Sequence, residues 1–237
     1  MILRDRPSPN HGPRPDGAPI DFLILHYTGM ESAEAALRRM CDPAAEVSAH
    51  YAIDEDGTVW RLVEEGRRAW HAGRSFWAGV TDINGRSIGV ELVNPGHEWG
   101  YRPFPEPQMA ALEALCRGVL ARHPIPPQRV LGHSDVAPQR KEDPGELFDW
   151  PRLARAGIGL WPEFGLASAD LVAEQEAVPR ARAALARIGY EVPPAEDAAA
   201  MRKVIAAFQR RYRPARCDGA LDGETLARIE RVAAARP

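Results

Sequence analysis

One polar stretch, residues 131–145, concentrates groups that could do chemistry. It reads LGHSDVAPQRKEDPG and contains His133, Lys141 and Asp143. A neutral imidazole and a carboxylate both bind zinc, and a lysine ammonium can stabilise a developing oxyanion. The stretch follows a short apolar run and lacks any periodicity, which predicts a loop after a strand, a common location for functional groups. A polar loop whose charges are merely solvated is the alternative interpretation.

A second histidine ends the upstream apolar run DFLILH. His26 follows four apolar residues, a pattern typical of a central buried strand. If this strand and the one before His133 run parallel in one sheet, both imidazoles emerge at the same edge, where Asp143 can complete the set. Three protein ligands leave a fourth position for water, which is the mark of a catalytic zinc site. The sequence therefore predicts one Zn²⁺ per chain at these three residues, although each histidine alone could be structural.

A single acid interrupts a second apolar run, SIGVELV, at Glu91. A buried carboxylate without a partner is strongly disfavoured, so its presence suggests a function. Near zinc, Glu91 could take a proton from the attacking water and return it to a leaving amine. The alternative is that strand alternation points Glu91 to solvent. Lys141 is the predicted oxyanion stabiliser, with an ordinary surface lysine as its alternative.

An aromatic cluster lies in the aperiodic segment 66–86, which contains Trp70, His71 and Trp77. A long structureless loop in a compact domain is more often functional than idle. These three residues are therefore predicted to line a substrate groove, together with Asn94, which follows the second buried strand. Aromatic packing alone would also explain the cluster.

Two further residues are predicted to support the site without touching substrate. Asp135 lies two residues after His133 and is expected to orient that ligand or its loop, as carboxylates beside metal ligands do. It could also serve as an alternative ligand. His50, beside a tyrosine on a predicted hairpin strand, is expected to be a supporting or core residue.

Charge and composition exclude several classes of function. A net charge of -3 argues against a general binder of nucleic acid or anionic membranes. No apolar run approaches the roughly 20 residues of a membrane-spanning helix. The first 17 residues lack the features of a secretory signal, and three scattered cysteines do not suit a disulfide framework. A cytoplasmic protein is therefore expected, or a periplasmic one if a signal has been removed.

The patterning predicts an α/β (α+β) fold, with a mixed central β-sheet flanked by helices over residues 1–160. Within it, the Pro- and Gly-rich residues 1–19 are predicted to be irregular. Residues 161–173 are predicted to be a linker, and residues 174–237, rich in Ala and Arg, a small helical domain. The predicted helices of that domain are 174–188, 196–212 and 222–235.

Six pieces of sequence, in order across residues 8–150, resemble the zinc-dependent N-acetylmuramoyl-L-alanine amidases of type 2, the AmpD and AmiD group. They are SPN, LILHYTGM, VSAHYAIDEDGTV, WHAGRSFW, SIGVELVNPG and GHSDVAPQRKEDPG. The resemblance implies that His26, His133 and Asp143 bind zinc, that Glu91 is the general base and acid, and that Lys141 stabilises the oxyanion. The C-terminal region is similar to a small peptidoglycan-binding domain, in the pieces LARIGY, VIAAFQRRY and CDGALDGETLARI.

The resemblance also implies the substrate, peptidoglycan fragments or murein. The bond cleaved would be the amide between N-acetylmuramic acid, possibly in its 1,6-anhydro form, and L-alanine of the stem peptide, in cell-wall turnover or recycling. Two other functions stay open. One is peptidoglycan recognition without turnover. The other is glycoside hydrolysis with Glu91 and Asp143 as the carboxylate pair, which would need no metal.

Overall fold

The computed structural model describes residues 2–164 and 174–235. The strands are β1 Ile2–Asp5, β2 His11–Pro13, β3 Phe22–Tyr27, β4 Tyr51–Ile53, β5 Thr58–Arg61, β6 Arg67–Ala69, β7 Ser87–Leu92 and β8 Val130–Gly132. Within the described residues, six of them form a mixed sheet in the order β1-β5-β4-β7-β3-β8, and β2 pairs with β6 in a separate antiparallel ribbon. The predicted mixed central sheet is thus confirmed.

Helices flank this sheet and make up the C-terminal region. They are α1 Ala33–Cys41, α2 Ile83–Arg86, α3 Gly96–Trp99, α4 Glu106–Arg122, α5 His133–Val136, α6 Trp150–Arg155, α7 Glu174–Ile188, α8 Ala198–Tyr212 and α9 Gly223–Ala234. Side-chain caps begin several of them: Ser32, Asp197 and Asp222 each accept a hydrogen bond from a backbone N–H of the first turn. Within the described residues, none of the helices combines the length and hydropathy that a bilayer-spanning segment requires.

Strand β3 lies at the centre of the parallel part of the sheet, hydrogen-bonded to β7 on one side and β8 on the other. Its side chains alternate between two cores because successive strand residues face opposite ways. Leu23 and Leu25 pack against α4 and its neighbours. Phe22 and Ile24 pack in a cluster that includes the C-terminal helices. The carboxyl ends of β3, β7 and β8 therefore meet at one edge of the sheet.

The C-terminal helices bury their apolar faces partly against one another and partly against the sheet domain. Helix α7 packs on α9, and α8 contacts α5. Phe208 and Leu185 are fully buried and share a cluster with Leu131 of the last strand. The two parts of the chain consequently share a hydrophobic core.

One prediction about an irregular segment needs correction, and another lies mostly outside the described residues. Residues 1–19 are not wholly irregular: β1 pairs in parallel with β5, and β2 pairs with β6. Both are short, and the residues of β1 are all exposed, so backbone pairing formed them without a hydrophobic pattern. Of the predicted linker, residues 165–173 lie outside the described residues. In the described part, Trp161 and Phe164 pack against the core rather than standing free.

Candidate metal centre and active site

Three potential ligand atoms converge at the edge where β3 and β8 end. The Nδ1 atoms of His26 and His133 lie 3.0 Å apart, and each lies 3.0 Å from Oδ2 of Asp143. All three side chains are buried. Among the described residues, this is the group of histidine, cysteine and acidic side chains whose geometry could hold a metal ion.

The local backbone explains how residues distant in sequence meet. His26 is near the end of β3, and His133 begins α5 directly after β8. The loop that carries Asp143 is hydrogen-bonded to the start of α5, where the Ser134 N–H donates to the Asp143 carbonyl at 2.9 Å. Gly132 permits the close approach: a Cβ there would lie 2.7 Å from Cδ of Pro144.

The second nitrogen of each histidine also has a partner, which fixes the orientation of the ring. His133 Nε2–H donates to the Ala72 carbonyl at 3.1 Å. His26 Nε2 lies 3.1 Å from His71 Nδ1, and His71 Nε2 lies 3.0 Å from Ser87 Oγ. With the proton on Nε2 of each ring, His26 donates to His71 and His71 donates to Ser87. Protons at these positions leave both Nδ1 lone pairs directed at the shared point.

The electrostatics agree with this proton arrangement. Burial, followed by the nearby His133, lowers the pKa of His26 to about 4, so its imidazole is neutral at pH 7. Burial acts to raise the pKa of Asp143, but the adjacent His133 and then His26 outweigh it and hold that pKa below its usual range. The carboxylate is therefore ionised.

This donor set fits a zinc ion. Three atoms that each carry a lone pair lie 3.0 Å apart in a buried site, which is unfavourable unless a cation lies between them. Atoms with this spacing can all lie about 2.1 Å from a single point, the distance at which histidine nitrogen and carboxylate oxygen bind zinc. Two neutral imidazoles and one carboxylate are also the ligand types found in catalytic zinc sites.

Glu91 lies beside this cluster on β7, where it is the register partner of His26. Its Oε2 atom is buried and has no hydrogen-bond partner in the part of the chain described. Burial, and then repulsion from Asp143, raises the pKa of Glu91 well above its usual value, while Lys141 opposes the rise. A buried carboxyl group of this kind can carry a proton.

A cavity of about 400 Å³ opens onto the cluster. Its walls include Glu91, Lys141, Trp70 and His71 among the residues that the sequence singled out. Besides lining the cavity, His71 contacts Nε2 of His26 and fixes the orientation of that ring. The sequence did not predict this second role. The His71 ring lies over Gly89, where a Cβ would come within 2.5 Å.

Two residues predicted to bind substrate lie elsewhere. Trp77 is only 2 % exposed and packs edge-on against Tyr190, with ring centroids 4.8 Å apart. Asn94 is fully buried, where its amide donates to the Arg102 carbonyl and its oxygen accepts from the Gly96 N–H. Neither lines the cavity. Both side chains are buried because other parts of the chain pack against them: the ring of Tyr190 against Trp77, and the backbone of residues 96 and 102 against Asn94.

The two residues predicted to support the site, His50 and Asp135, both lie outside the group of three potential ligands. His50 is fully buried, and its Nδ1 accepts from the Gly89 N–H at 2.9 Å, so it stabilises the sheet without contacting a ligand. Burial and then Arg14 lower the pKa of His50 to about 3. Asp135 is hydrogen-bonded to the Gly132 N–H at 2.8 Å, in the turn that precedes His133. It therefore orients the loop rather than the imidazole.

Sequence reasoning missed Arg140, which also lines the cavity. Its guanidinium donates to the carbonyls of Ala72 and Arg74, and Ala72 is also the acceptor for His133. Burial lowers the pKa of Arg140, although the group stays cationic. Its position one residue before Lys141 was the available signal.

Comparison with known proteins identifies the family of this chain. The N-acetylmuramoyl-L-alanine amidase family matches residues 16–146, and a peptidoglycan binding domain family matches residues 174–229. N-acetylmuramoyl-L-alanine amidase AmiD of Escherichia coli (strain K12) is 38% identical over 227 residues, which covers 89% of this chain and 81% of the relative.

Solved structures show the same fold with substrate bound. AmiD from E. coli in complex with anhydro-N-acetylmuramic acid-L-Ala-D-gamma-Glu-L-Lys matches with a TM-score of 0.80 and 36% identity, over 92% of this chain and 91% of that chain. AmpDh3 from Pseudomonas aeruginosa, in complex with anhydromuramic pentapeptide, matches with a TM-score of 0.80 and 34% identity over 92% of both chains.

Fold and site together define a hydrolase built around a His-His-Asp cluster on a mixed sheet. The chain belongs to the N-acetylmuramoyl-L-alanine amidase family, and the region after its amidase region is similar to peptidoglycan binding domains.

Proposed function

We propose that this chain hydrolyses the amide bond between the lactyl group of N-acetylmuramic acid and L-alanine of the peptidoglycan stem peptide. His26, His133 and Asp143 would bind one Zn²⁺. Glu91 would transfer the proton, and Lys141 would stabilise the oxyanion. The observation that carries this proposal is the convergence of the three ligand atoms, 3.0 Å apart, in a cavity that also contains Glu91.

When bound, zinc supplies Lewis acidity that polarises the carbonyl and lowers the pKa of water. The oxygen of the attacking water forms a bond to the lactyl carbonyl carbon, and the carboxylate of Glu91 accepts its proton. The ammonium of Lys141, on the cavity wall, counters the charge that develops on the carbonyl oxygen. Glu91 then delivers the proton to the alanine nitrogen as the carbon–nitrogen bond breaks. The products are a lactyl carboxylate and a free stem peptide.

The raised pKa of Glu91 suits this shuttle. A carboxyl group with an ordinary pKa near 4.3 is a poor proton donor at neutral pH, whereas one whose pKa is raised can both accept and donate there. Burial is the main cause of the rise.

We infer that 1,6-anhydro-muropeptides are among the substrates. The substrate of the AmiD structure and the ligand of the AmpDh3 structure both carry an anhydro-muramic acid, and both proteins match this chain over nine-tenths of its length. The cavity of about 400 Å³ is in the size range of pockets that bind small molecules. This substrate class supports a role in cell-wall recycling.

We also propose the division into a catalytic domain over residues 1–160, a linker over 161–173 and a peptidoglycan-binding domain over 174–237. A Glu91→Gln protein, which retains the ligands, allows binding to be tested without cleavage. If the C-terminal domain binds murein, this variant sediments with sacculi even when excess anhydro-muropeptide fills the active site. Release by that competitor would assign binding to the catalytic cavity alone.

The decisive experiment is product analysis by mass spectrometry, using defined anhydro-muropeptide and intact sacculi with and without a chelator. We expect free stem peptide and an intact sugar, loss of cleavage with EDTA, and recovery with added zinc. Cleavage between sugars that persists in EDTA would favour the glycosidase function. Tight binding without any cleavage, in protein confirmed to contain zinc, would favour peptidoglycan recognition.

We propose a cytoplasmic location. Cys41, Cys116 and Cys217 are all free thiols, which suits a reducing compartment. Fractionation of cells that express the native gene, with immunoblots for cytoplasmic and periplasmic markers, tests this location. Recovery in the periplasmic fraction would overturn it and favour murein as the main substrate.

A further inference from the structure

We propose that the C-terminal domain positions the metal ligand His133. It would do so through Arg211 and Tyr190, whose side chains hold Asp135, two residues after the ligand. This inference rests on the metal site of the proposed function. It assigns the C-terminal helices a role in metal affinity and turnover that is separate from any binding of murein.

The carboxylate of Asp135 accepts three hydrogen bonds, two of them from the C-terminal domain. Its Oδ1 accepts from the Tyr190 hydroxyl at 2.6 Å. Its Oδ2 accepts from Arg211 Nη1 at 3.1 Å and from the Gly132 N–H at 2.8 Å. Asp135, Arg211 and Tyr190 are each at most 3% exposed. The C-terminal domain is thus linked by one carboxylate to the backbone immediately before His133.

The backbone on the other side of His133 is also fixed. The Ser134 N–H donates to the carbonyl of Asp143 at 2.9 Å, which connects two ligand segments directly. The backbone of His133 is therefore held between a hydrogen bond to the segment that carries Asp143 and a hydrogen bond to Asp135. If Asp135 lost its partners, the Gly132 end would be free to shift.

Arg211 reinforces the same turn by a second route. Its Nη1 also donates to the Val130 carbonyl at 2.9 Å, on the strand that leads into His133. Its guanidinium lies over the ring of Trp150, with its carbon 4.0 Å from the ring centroid. A buried guanidinium is costly unless its charge is paired, and here Asp135 pairs with it, while Nε of Arg211 has no hydrogen-bond partner among the described residues. Simple attachment of two domains would not require a buried ion pair at this turn.

Further contacts with the C-terminal domain follow the loop between the two ligands. Lys203 Nζ donates to the Gln139 carbonyl at 3.1 Å, and the Gln139 amide donates to the Ala200 carbonyl at 3.0 Å. Arg210 forms an ion pair with Glu142, the residue before Asp143. Helix α8 therefore contacts the beginning, middle and end of the segment that carries both ligands. Contacts along the whole segment would let α8 hold both ligands in position.

The test is the zinc dissociation constant of the full chain, measured by chelator competition, for Tyr190→Phe and Arg211→Lys. Tyr190→Phe removes one hydroxyl and keeps the ring against Trp77. We expect zinc to bind about 10-fold more weakly in Tyr190→Phe and up to about 100-fold more weakly in Arg211→Lys. At limiting zinc, kcat should fall while KM stays constant, and saturating zinc should restore most of kcat.

The matched control is Arg180→Gln. Arg180 forms a bidentate ion pair with Glu230 inside the C-terminal domain, on the exposed surface. Its loss should leave zinc affinity unchanged, because neither residue contacts the ligand loop. All measurements are made below the onset of unfolding for each variant, as monitored by circular dichroism. If Arg211→Lys does not fold, Tyr190→Phe against Arg180→Gln still decides the question.

Each outcome has one meaning. Weaker zinc binding in Tyr190→Phe but not in Arg180→Gln supports the positioning role. Equal zinc affinity in the parent protein and Tyr190→Phe overturns it, as does an equal loss in the control. A parent protein that binds no zinc overturns the proposed metal site itself, which the parent measurement alone detects.

Discussion

His26 and Glu91 are register partners on adjacent parallel strands, β3 and β7. Partners in a sheet project from the same face, so the backbone hydrogen bonds of the sheet fix the separation between the proposed ligand and the proposed proton carrier. Only rotation of the two side chains can change the distance between the imidazole and the carboxyl group. A slip of one residue between these strands would place Glu91 on the face that packs against α4.

Replacement of Glu91 separates proton transfer from metal binding. In Glu91→Gln the amide keeps the shape of the side chain but cannot accept a proton, so kcat should fall by about 10²- to 10⁴-fold. Zinc content, measured by atomic absorption, should match that of the parent. Glu64→Gln, at an exposed position outside the cavity, is the control and should cleave normally. Normal cleavage by Glu91→Gln would assign the proton transfer to another group.

Replacement of His71 should affect the metal rather than the substrate. In His71→Ala, Nε2 of His26 loses its partner and the ring loses its fixed orientation. We expect zinc to bind about 10- to 100-fold more weakly, measured by chelator competition. His71→Gln, which can still accept the hydrogen bond, should recover part of the affinity. Unchanged affinity together with a raised KM would show that His71 contacts substrate instead.

The two tryptophans predicted to bind substrate should behave differently. Trp70 lines the cavity, so Trp70→Ala should raise KM with little change in melting temperature. Trp77 is buried against Tyr190, so Trp77→Ala should lower the free energy of unfolding by about 3–5 kcal/mol, measured by urea denaturation. The opposite pattern would place Trp77 in the groove.

Acid should remove a stabilising contribution from Glu65. Burial acts to raise the pKa of Glu65, but hydrogen bonds from Arg122, His123 and Tyr51 outweigh it and lower that pKa to about 2. Because the folded pKa lies below the unfolded value near 4.3, the stabilisation is present above about pH 4.3 and lost as the pH falls toward 2. The shift alone corresponds to at most about 3 kcal/mol at neutral pH, and solvent screening of this half-buried group makes the stabilisation smaller.

The comparison that isolates this effect is the parent protein against Glu65→Gln, both stripped of zinc. The difference in free energy of unfolding should be largest at pH 7 and should vanish near pH 2. A difference that stays constant across this range would mean that Glu65 acts through packing rather than through its charge.

Much of the fold was readable from local patterns. The apolar runs before His26 and around Glu91 predicted the central strands, and helical spacing predicted the three C-terminal helices close to their observed bounds. Strand β1 was missed because all its side chains are exposed, so only pairing with β5 defines it. The residues of an edge strand need not follow any hydrophobic period.

The sequence by itself determined which atoms could bind a metal and which carboxyl group could carry a proton, because few side chains have the required chemistry. Only the tertiary structure decided which neighbours those groups have. It gave His26 the ring of His71, turned Trp77 into the domain interface, and linked Asp135 to Tyr190 and Arg211. Such partners lie far apart along the chain and meet through packing, which no local pattern records.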